Sequence, residues 1–388
     1  MKMGLLPLFM LAHFSHHVLT AIPIPLLPMI RRSFALDYTQ SGLAISAFTL
    51  SYGIAQLPAG WLADRVGPRL LITIGISGVA LSGLLVGLSQ TYIMMTVFLV
   101  LMGLAGGGYH PAASPLISMS VEPDKRGRAL GFHLIGGSTS YFLAPLIAAA
   151  IASAWGWRGS FIGLAIPTIV FGVVFYVLMG QRAKMEKKRR SIADSHSETP
   201  SDPGHLRRLA AFIILSAFTW AVISSTIAFI PLFMVDHFGV GDKTAASLLA
   251  IIYSAGFWAG PLGGYLSDRL GRVPVILAVS FISGPIMYLL NLVSYGPGFG
   301  ALLLVIGTVL IMRAPIAEAY IVGQTSRRQR STILGIYFFS GHEGSGVLTP
   351  VMGYLIDRLG FYPSFTIASA ALFTVTLGCS LLLWRNRD

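Results

Sequence analysis

The 388-residue chain has a single cysteine, Cys379. One thiol excludes an intrachain disulfide and any metal site built from several cysteines. Charge is scarce too. Asp, Glu, Lys and Arg make up 11% of the chain against 54% hydrophobic residues, where a soluble domain carries about 25% charged residues. So little charge cannot cover a water-facing surface. The apolar stretches are continuous and do not alternate with polar residues, which excludes a membrane β-barrel. No G-x-x-x-x-G-K-[ST] loop is present, so nothing supports nucleotide-driven pumping. No polar stretch is long enough for a catalytic domain. The chain is therefore not expected to be an enzyme, and no cofactor is expected.

What is present is a series of apolar runs of roughly 20 residues or more, the length that crosses about 30 Å of hydrocarbon as a helix. Twelve can be drawn, at 5–30, 41–63, 70–89, 91–120, 128–153, 160–180, 208–235, 244–267, 273–294, 298–325, 331–356 and 361–384. The fold class is an all-α membrane protein. The first run begins like a signal peptide, but it continues through three histidines to Pro28 without an A-x-A site and reads as an uncleaved helix. Between the sixth and seventh runs, "QRAKMEKKRRSIADSHSETPSDPGHLRR" is polar and rich in Ser and Pro. That composition cannot bury a core and reads as a linker. The expected organisation is a six-helix bundle over 1–180, a cytoplasmic linker over 181–207 and a second six-helix bundle over 208–388.

The net charge of +12 is a matter of topology. Alternate loops, with both termini and the linker, hold 21 of the 27 Lys and Arg residues; the opposite loops hold 5, and Arg313 lies inside a helix. The positive-inside rule then places the termini and linker in the cytoplasm, and the expected location is the cell inner (cytoplasmic) membrane. The lipid bilayer is the expected environment, and nucleic acid is not an expected partner.

A constant offset of 204 residues aligns Asp64 with Asp268, Arg126–Phe132 with Arg330–Ile336, Pro111 with Pro315 and Trp157–Phe161 with Phe361–Phe365. Six helices are an even number, so both halves start from the same side and form a parallel repeat. Twelve helices in two such halves, with G-x-L-x-D-R-x-G-x-R after helix 2, resemble the major facilitator superfamily. The loop comprises Gly60, Leu62, Asp64, Arg65, Gly67 and Arg69, and its echo comprises Gly264, Leu266, Asp268, Arg269, Gly271 and Arg272. "GYHPAASPLIS" followed by "RGRALGFHLIGG" resembles the fosmidomycin-resistance branch of drug and metabolite exporters. That branch usually carries Asp or Asn about where His17 stands, and "APLIAA" (Ala144–Ala149) departs from its exporter signature. The resemblance implies alternating access with the Asp64 loop as a gating latch. In that picture the Asp64 carboxylate meets the positive N-terminal end of helix 11 near Ser331, and Gly60 and Gly67 permit close packing.

The intramembrane ionisable residues are His13, His16, His17, His110, His133, Arg313, Glu318, His342 and Glu343. Burying each is costly, so they are expected to face the bundle interior. His13 and His17 are one turn apart and share a face. A metal site needs a third converging ligand, and His110 and Met102 are too far apart on helix 4 to help. No metal site is therefore expected. His110 precedes Pro111, which disfavours helical geometry there, so helix 4 is expected to bend. Arg313 and Glu318 lie about 140° apart around one helix and need other partners; Glu343 is the candidate for Arg313. The expected cavity lining is His13, His17, His110, Tyr141, Trp220, Arg313 and His342, with Glu318 and Glu343 as proton carriers.

These readings favour a monomeric secondary transporter that exports a small organic molecule in exchange for protons. Proton-coupled import of an organic anion is the alternative, motivated by Arg313. A metal-ion transporter and a non-transporting sensor rank below both.

Overall fold

The computed structural model describes residues 6–119, 126–186, 205–325 and 327–383, apart from the side chains at 60, 64, 115, 118–119, 126–128, 181–186, 205 and 327–331. The described residues are helical almost throughout, with no strand among them. That follows from the apolar runs, because hydrocarbon offers no partner for a backbone N–H or C=O and a helix satisfies them internally. Seven described helices are long and apolar enough to cross a membrane, or eight if one bent pair counts as a span.

Several expected spans are interrupted. The first divides into α1 (Leu6–Thr20) and α2 (Leu27–Phe34) across a proline-rich turn. α3 is continuous over Tyr38–Val66. The third span consists of α4 (Pro68–Thr73), a π-helical segment (Ile74–Gly78) and α5 (Val79–Leu88). The fourth breaks at Gly107 and Gly108, between α6 (Tyr92–Gly106) and α7 (Tyr109–Met119). Pro111 thus falls in the first turn of α7, where its missing N–H costs nothing. α8 (Arg126–Glu186) holds two spans joined at Gly156, whose φ of 67° and ψ of 175° are non-helical. There follow α9 (His205–Phe238), α10 (Asp242–Ser254), α11 (Ala259–Leu270), α12 (Arg272–Tyr288), α13 (Pro297–Gln324), α14 (Arg327–Leu359) and α15 (Phe361–Leu383). Most of the expected linker, 187–204, lies outside the described residues.

The offset of 204 recurs in the backbone. Positive φ angles pair Ala35 with Gly239 (52° and 66°), Gly67 with Gly271 (89° and 89°) and Gly156 with Gly360 (67° and 81°). At Gly67 and Gly271, ψ values of 140° and 147° complete a conformation that only glycine adopts without strain. Each glycine turns the chain directly into the next helix.

Contacts divide the chain into two compact units. One comprises Met1–Leu36, Ala44–Ser195 and Val240–Ala250; the other comprises Asp37–Leu43, His196–Gly239 and Ile251–Asp388. In the first, α1 packs mainly on α8 around Val18, Leu19, Ala148 and Phe161, and Arg32 pairs with Asp242. In the second, α9 packs on α14 and α12 on α15. The first turn of α3 belongs to this second unit and is capped by Asp357, whose carboxylate accepts from the N–H groups of Tyr38 (2.9 Å) and Thr39 (2.8 Å).

Helix association in lipid depends on close packing of small residues, and Gly307 of α13 shows how close. A Cβ there would lie 1.9 Å from the Ile252 carbonyl oxygen. Backbone cannot yield as a side chain can, so Gly307→Ala should lower stability by about 1–3 kcal/mol. Gly378→Ala, in a helix where an added Cβ meets nothing within 4 Å, should be neutral or stabilising. Thermal unfolding of the two detergent-purified variants checks the contrast.

Candidate functional site

Among the described residues, each unit buries ionisable side chains. In the first, α1 presents His13, His16 and His17, all at or below 7% exposure. Spacings of three and four residues place them along one face. Each ring finds a different neighbour.

His16 is fully satisfied. Its Nδ1–H donates to the Gly75 carbonyl (2.7 Å), and its Nε2 accepts from the Tyr52 hydroxyl (3.2 Å). Gly75 lies in the π-helical segment, where altered backbone pairing is common at functional positions. The His16 ring stacks on Tyr109 at 4.2 Å. This histidine packs and fastens α1.

His13 donates from Nδ1–H to the His133 carbonyl (2.8 Å) and stacks on the His133 ring at 4.1 Å. Its Nε2 is buried without a hydrogen-bond partner. Space for the ring exists because residue 137 is glycine: a Cβ there would lie 2.5 Å from the imidazole. His17 Nδ1 is 3.2 Å from the Thr20 hydroxyl oxygen, and that hydroxyl donates to the His17 carbonyl at 3.2 Å. The Thr20 oxygen therefore accepts from Nδ1–H and leaves a lone pair on His17 Nε2. His110, in the first turn of α7, brings its Nε2 to 3.2 Å from His17 Nε2. The expectation that no third ligand converges is thus corrected: ligand atoms of His13, His17 and His110 all lie within 4.8 Å of one another. The break at Gly107 and Gly108 starts α7 afresh and sets His110 against α1. Tyr141 of α8 faces His17, with ring centroids 4.8 Å apart.

The second unit holds Arg313 of α13, 2% exposed. One terminal nitrogen donates to the Ser216 carbonyl and hydroxyl oxygens, the latter at 2.6 Å, and to the Tyr337 hydroxyl at 3.2 Å. Nε is buried without a hydrogen-bond partner. The guanidinium carbon lies 5.9 Å from the Trp220 ring centroid, within cation–π range. Trp220 meets His342 edge-on at 4.6 Å. Glycine again makes the room, since a Cβ at Gly341 would lie 2.1 Å from the indole. Gly341 is the offset counterpart of Gly137, so both copies use the same glycine to seat an aromatic ring.

The expected Arg313–Glu343 ion pair is not present. Arg313 is held by neutral oxygens from α9 and α14, while Oε1 of half-buried Glu343 is buried without a hydrogen-bond partner. Glu318 is exposed on α13, on a different face from Arg313.

Of the loop residues, Gly60 and the Asp64 and Ser331 side chains lie outside the described set. Arg69 donates from Nε to the Tyr176 carbonyl (2.7 Å) and lies over the Tyr176 ring. Arg65 stacks on Trp61 and Arg269 on Tyr265, the same arrangement in both copies. Gly264 is half-buried and Asp268 exposed. Arg272 rests against Gly323 of α13.

The sequence-based site omitted Tyr109, His133, Ser216 and Tyr337. His133 and the Gly136–Gly137 pair were visible as letters, but no spacing rule connects α8 to α1. Ser216 and Tyr337 carry no motif.

Residues 9–344 match the family profile of the Major Facilitator Superfamily. A probable sulfoacetate transporter, SauU, of Cupriavidus necator is 25% identical over 92% of this chain and 87% of its own length. A probable L-galactonate transporter of Escherichia coli is 32% identical over 40% of this chain and 35% of its own length. Among solved structures, a POT family transporter in complex with 5-aminolevulinic acid superposes with a TM-score of 0.79 at 12% identity, covering 98% of this chain and 96% of that one; the likeness is one of fold.

Proposed function

This chain belongs to the Major Facilitator Superfamily, and from that premise we propose that it imports a small organic anion together with protons by alternating access. One observation carries the reading. Arg313 is a buried cation whose hydrogen-bond acceptors are all neutral oxygens, and among the described residues no acid pairs with it. A buried charge without a counter-charge is costly. A carboxylate or sulfonate would supply that charge and a bidentate acceptor for the guanidinium. Sulfoacetate and L-galactonate, named for two relatives, are small organic anions.

Proton coupling follows from electrostatics. Accumulating an anion against an inside-negative potential costs about 2.3 kcal/mol per charge per 100 mV. A co-transported proton cancels that charge. Glu343 and Glu318 are the acids available to carry it. The Asp64 loop acts as the cytoplasmic latch, and the protein works as a monomer in the inner membrane.

The proton-coupled exporter reading is favoured by the "GYHPAASPLIS" and "RGRALGFHLIGG" segments, and it reverses the direction. Vesicles of both orientations separate the two. With an acid exterior, right-side-out vesicles should accumulate a radiolabelled carboxylate or sulfonate from a test panel, and a protonophore should abolish the accumulation. Gradient-driven accumulation only in inverted vesicles would establish export. Transport of neutral or cationic compounds without competition from anions would overturn the anion assignment.

A further inference from the structure

We propose that His13, His17 and His110 form a binding site for a first-row divalent transition ion of the zinc class, with the fourth coordination position open. The site lies wholly in the first unit and does not depend on the anion reading.

The tautomers come first. A metal ligand must offer a lone pair, and the partner of the other ring nitrogen decides which nitrogen offers it. His13 Nδ1–H is committed to the His133 carbonyl, so Nε2 carries the lone pair, and that atom is buried with no hydrogen-bond partner. His17 Nδ1–H is committed to Thr20, whose own hydrogen is committed to the His17 carbonyl. Its Nε2 is a lone pair as well. Backbone carbonyls and hydroxyls in these positions hold imidazoles in the orientation and tautomer that metal sites use.

Spacing comes next. Zn–N bonds of about 2.0–2.1 Å set tetrahedral ligand atoms about 3.3 Å apart. The Nε2 atoms of His17 and His110 are 3.2 Å apart, already a tetrahedral edge. One ring nitrogen from each of the three histidines lies within 4.8 Å of the others, so the widest gap exceeds a tetrahedral edge by at most about 1.5 Å. Modest torsion of the rings spans that difference. His110 binds through Nε2 with its proton moved to Nδ1 or released.

Chemistry selects the ion class. Three neutral imidazoles without thiolate or carboxylate suit zinc, nickel or copper(II), and they do not suit magnesium or calcium, which require oxygen ligands. Three neutral ligands leave the ion's double charge uncompensated. The fourth position therefore takes hydroxide or another anion. His16 is not a ligand, because both its nitrogens are engaged; His133 also leaves a buried Nε2 without a partner, but it does not belong to the group whose ligand atoms lie within 4.8 Å of one another.

The test uses full-length protein purified through a tag without histidines and stripped with chelator. Zinc titration against a competing fluorescent chelator should give one tight site per chain. Cobalt(II) should bind with the intense visible absorption of a tetrahedral nitrogen-ligated ion. His13→Gln, His17→Gln and His110→Gln should each weaken zinc binding at least tenfold, and His237→Gln, at an exposed histidine, should leave it unchanged. Variants are compared only where thermal unfolding matches the parent. Where one fails to fold, the cobalt spectrum of the unaltered chain decides. No stoichiometric zinc, a weak octahedral cobalt spectrum, or equal zinc binding in the three folded variants would each overturn the site.

Discussion

Replacing Arg313 with alanine should weaken substrate binding about ten- to a hundredfold. Hydrogen bonds to a charged group contribute about 1.5–3 kcal/mol, and each 1.4 kcal/mol is a factor of about ten in affinity. The effect should fall on binding more than on folding. Ser216 and Tyr337 hydroxyls already lie 3.4 Å apart and can satisfy each other once the guanidinium is gone. Arg313→Lys should fall between parent and alanine, because an ammonium cannot hold Ser216 and a bidentate anion in one planar fork. Equilibrium binding of the transported anion, measured beside thermal unfolding, separates the two effects. Unchanged affinity in a folded Arg313→Ala protein would remove Arg313 from the substrate site.

Glu343→Gln should abolish accumulation driven by a proton gradient while leaving substrate exchange intact. A coupling group must change charge during the cycle, and glutamine cannot. Glu343 is half-buried, and one of its carboxyl oxygens has no hydrogen-bond partner. Its protonation therefore breaks no hydrogen bond at that oxygen. Glutamine keeps the shape, so counterflow of labelled against unlabelled substrate should persist. Glu318→Gln should be the weaker lesion, because Glu318 lies on a different face of α13 from the buried Arg313. Since no ion pair joins Arg313 to Glu343, their effects on stability should add within about 0.3–0.5 kcal/mol. Strong coupling in that double-mutant cycle would restore the pair the sequence suggested. Normal accumulation in Glu343→Gln would exclude the residue from coupling.

Class and family were legible in the letters because they depend on local patterns. Long apolar runs require helices, since a lipid-facing backbone has no other way to satisfy its polar groups. The loop from Gly60 to Arg69 and its echo from Gly264 were visible because glycine at Gly67 and Gly271 answers a backbone demand within the loop itself. The repeat could be read as a constant offset, which also proved to relate Ala35 to Gly239 and Gly156 to Gly360 in backbone angle. The offset could not show that the first turn of α3 is capped by Asp357, more than 300 residues away.

The tertiary structure decided which polar groups meet. Helical spacing put His13 and His17 on one face, but whether His110 joins them depends on the break at Gly107 and on how α7 lies against α1. Opposite charge alone points Arg313 to Glu343; in the fold it is Ser216 and Tyr337 that reach the guanidinium, and both are neutral. Such meetings depend on helix rotation and depth. Those are set by close contacts such as Gly137 on His13, Gly341 on Trp220 and Gly307 on Ile252. A glycine's letter is the same whether a ring, a carbonyl or lipid lies beside it, so the sequence alone determined the helices and their membrane, and packing alone determined the sites.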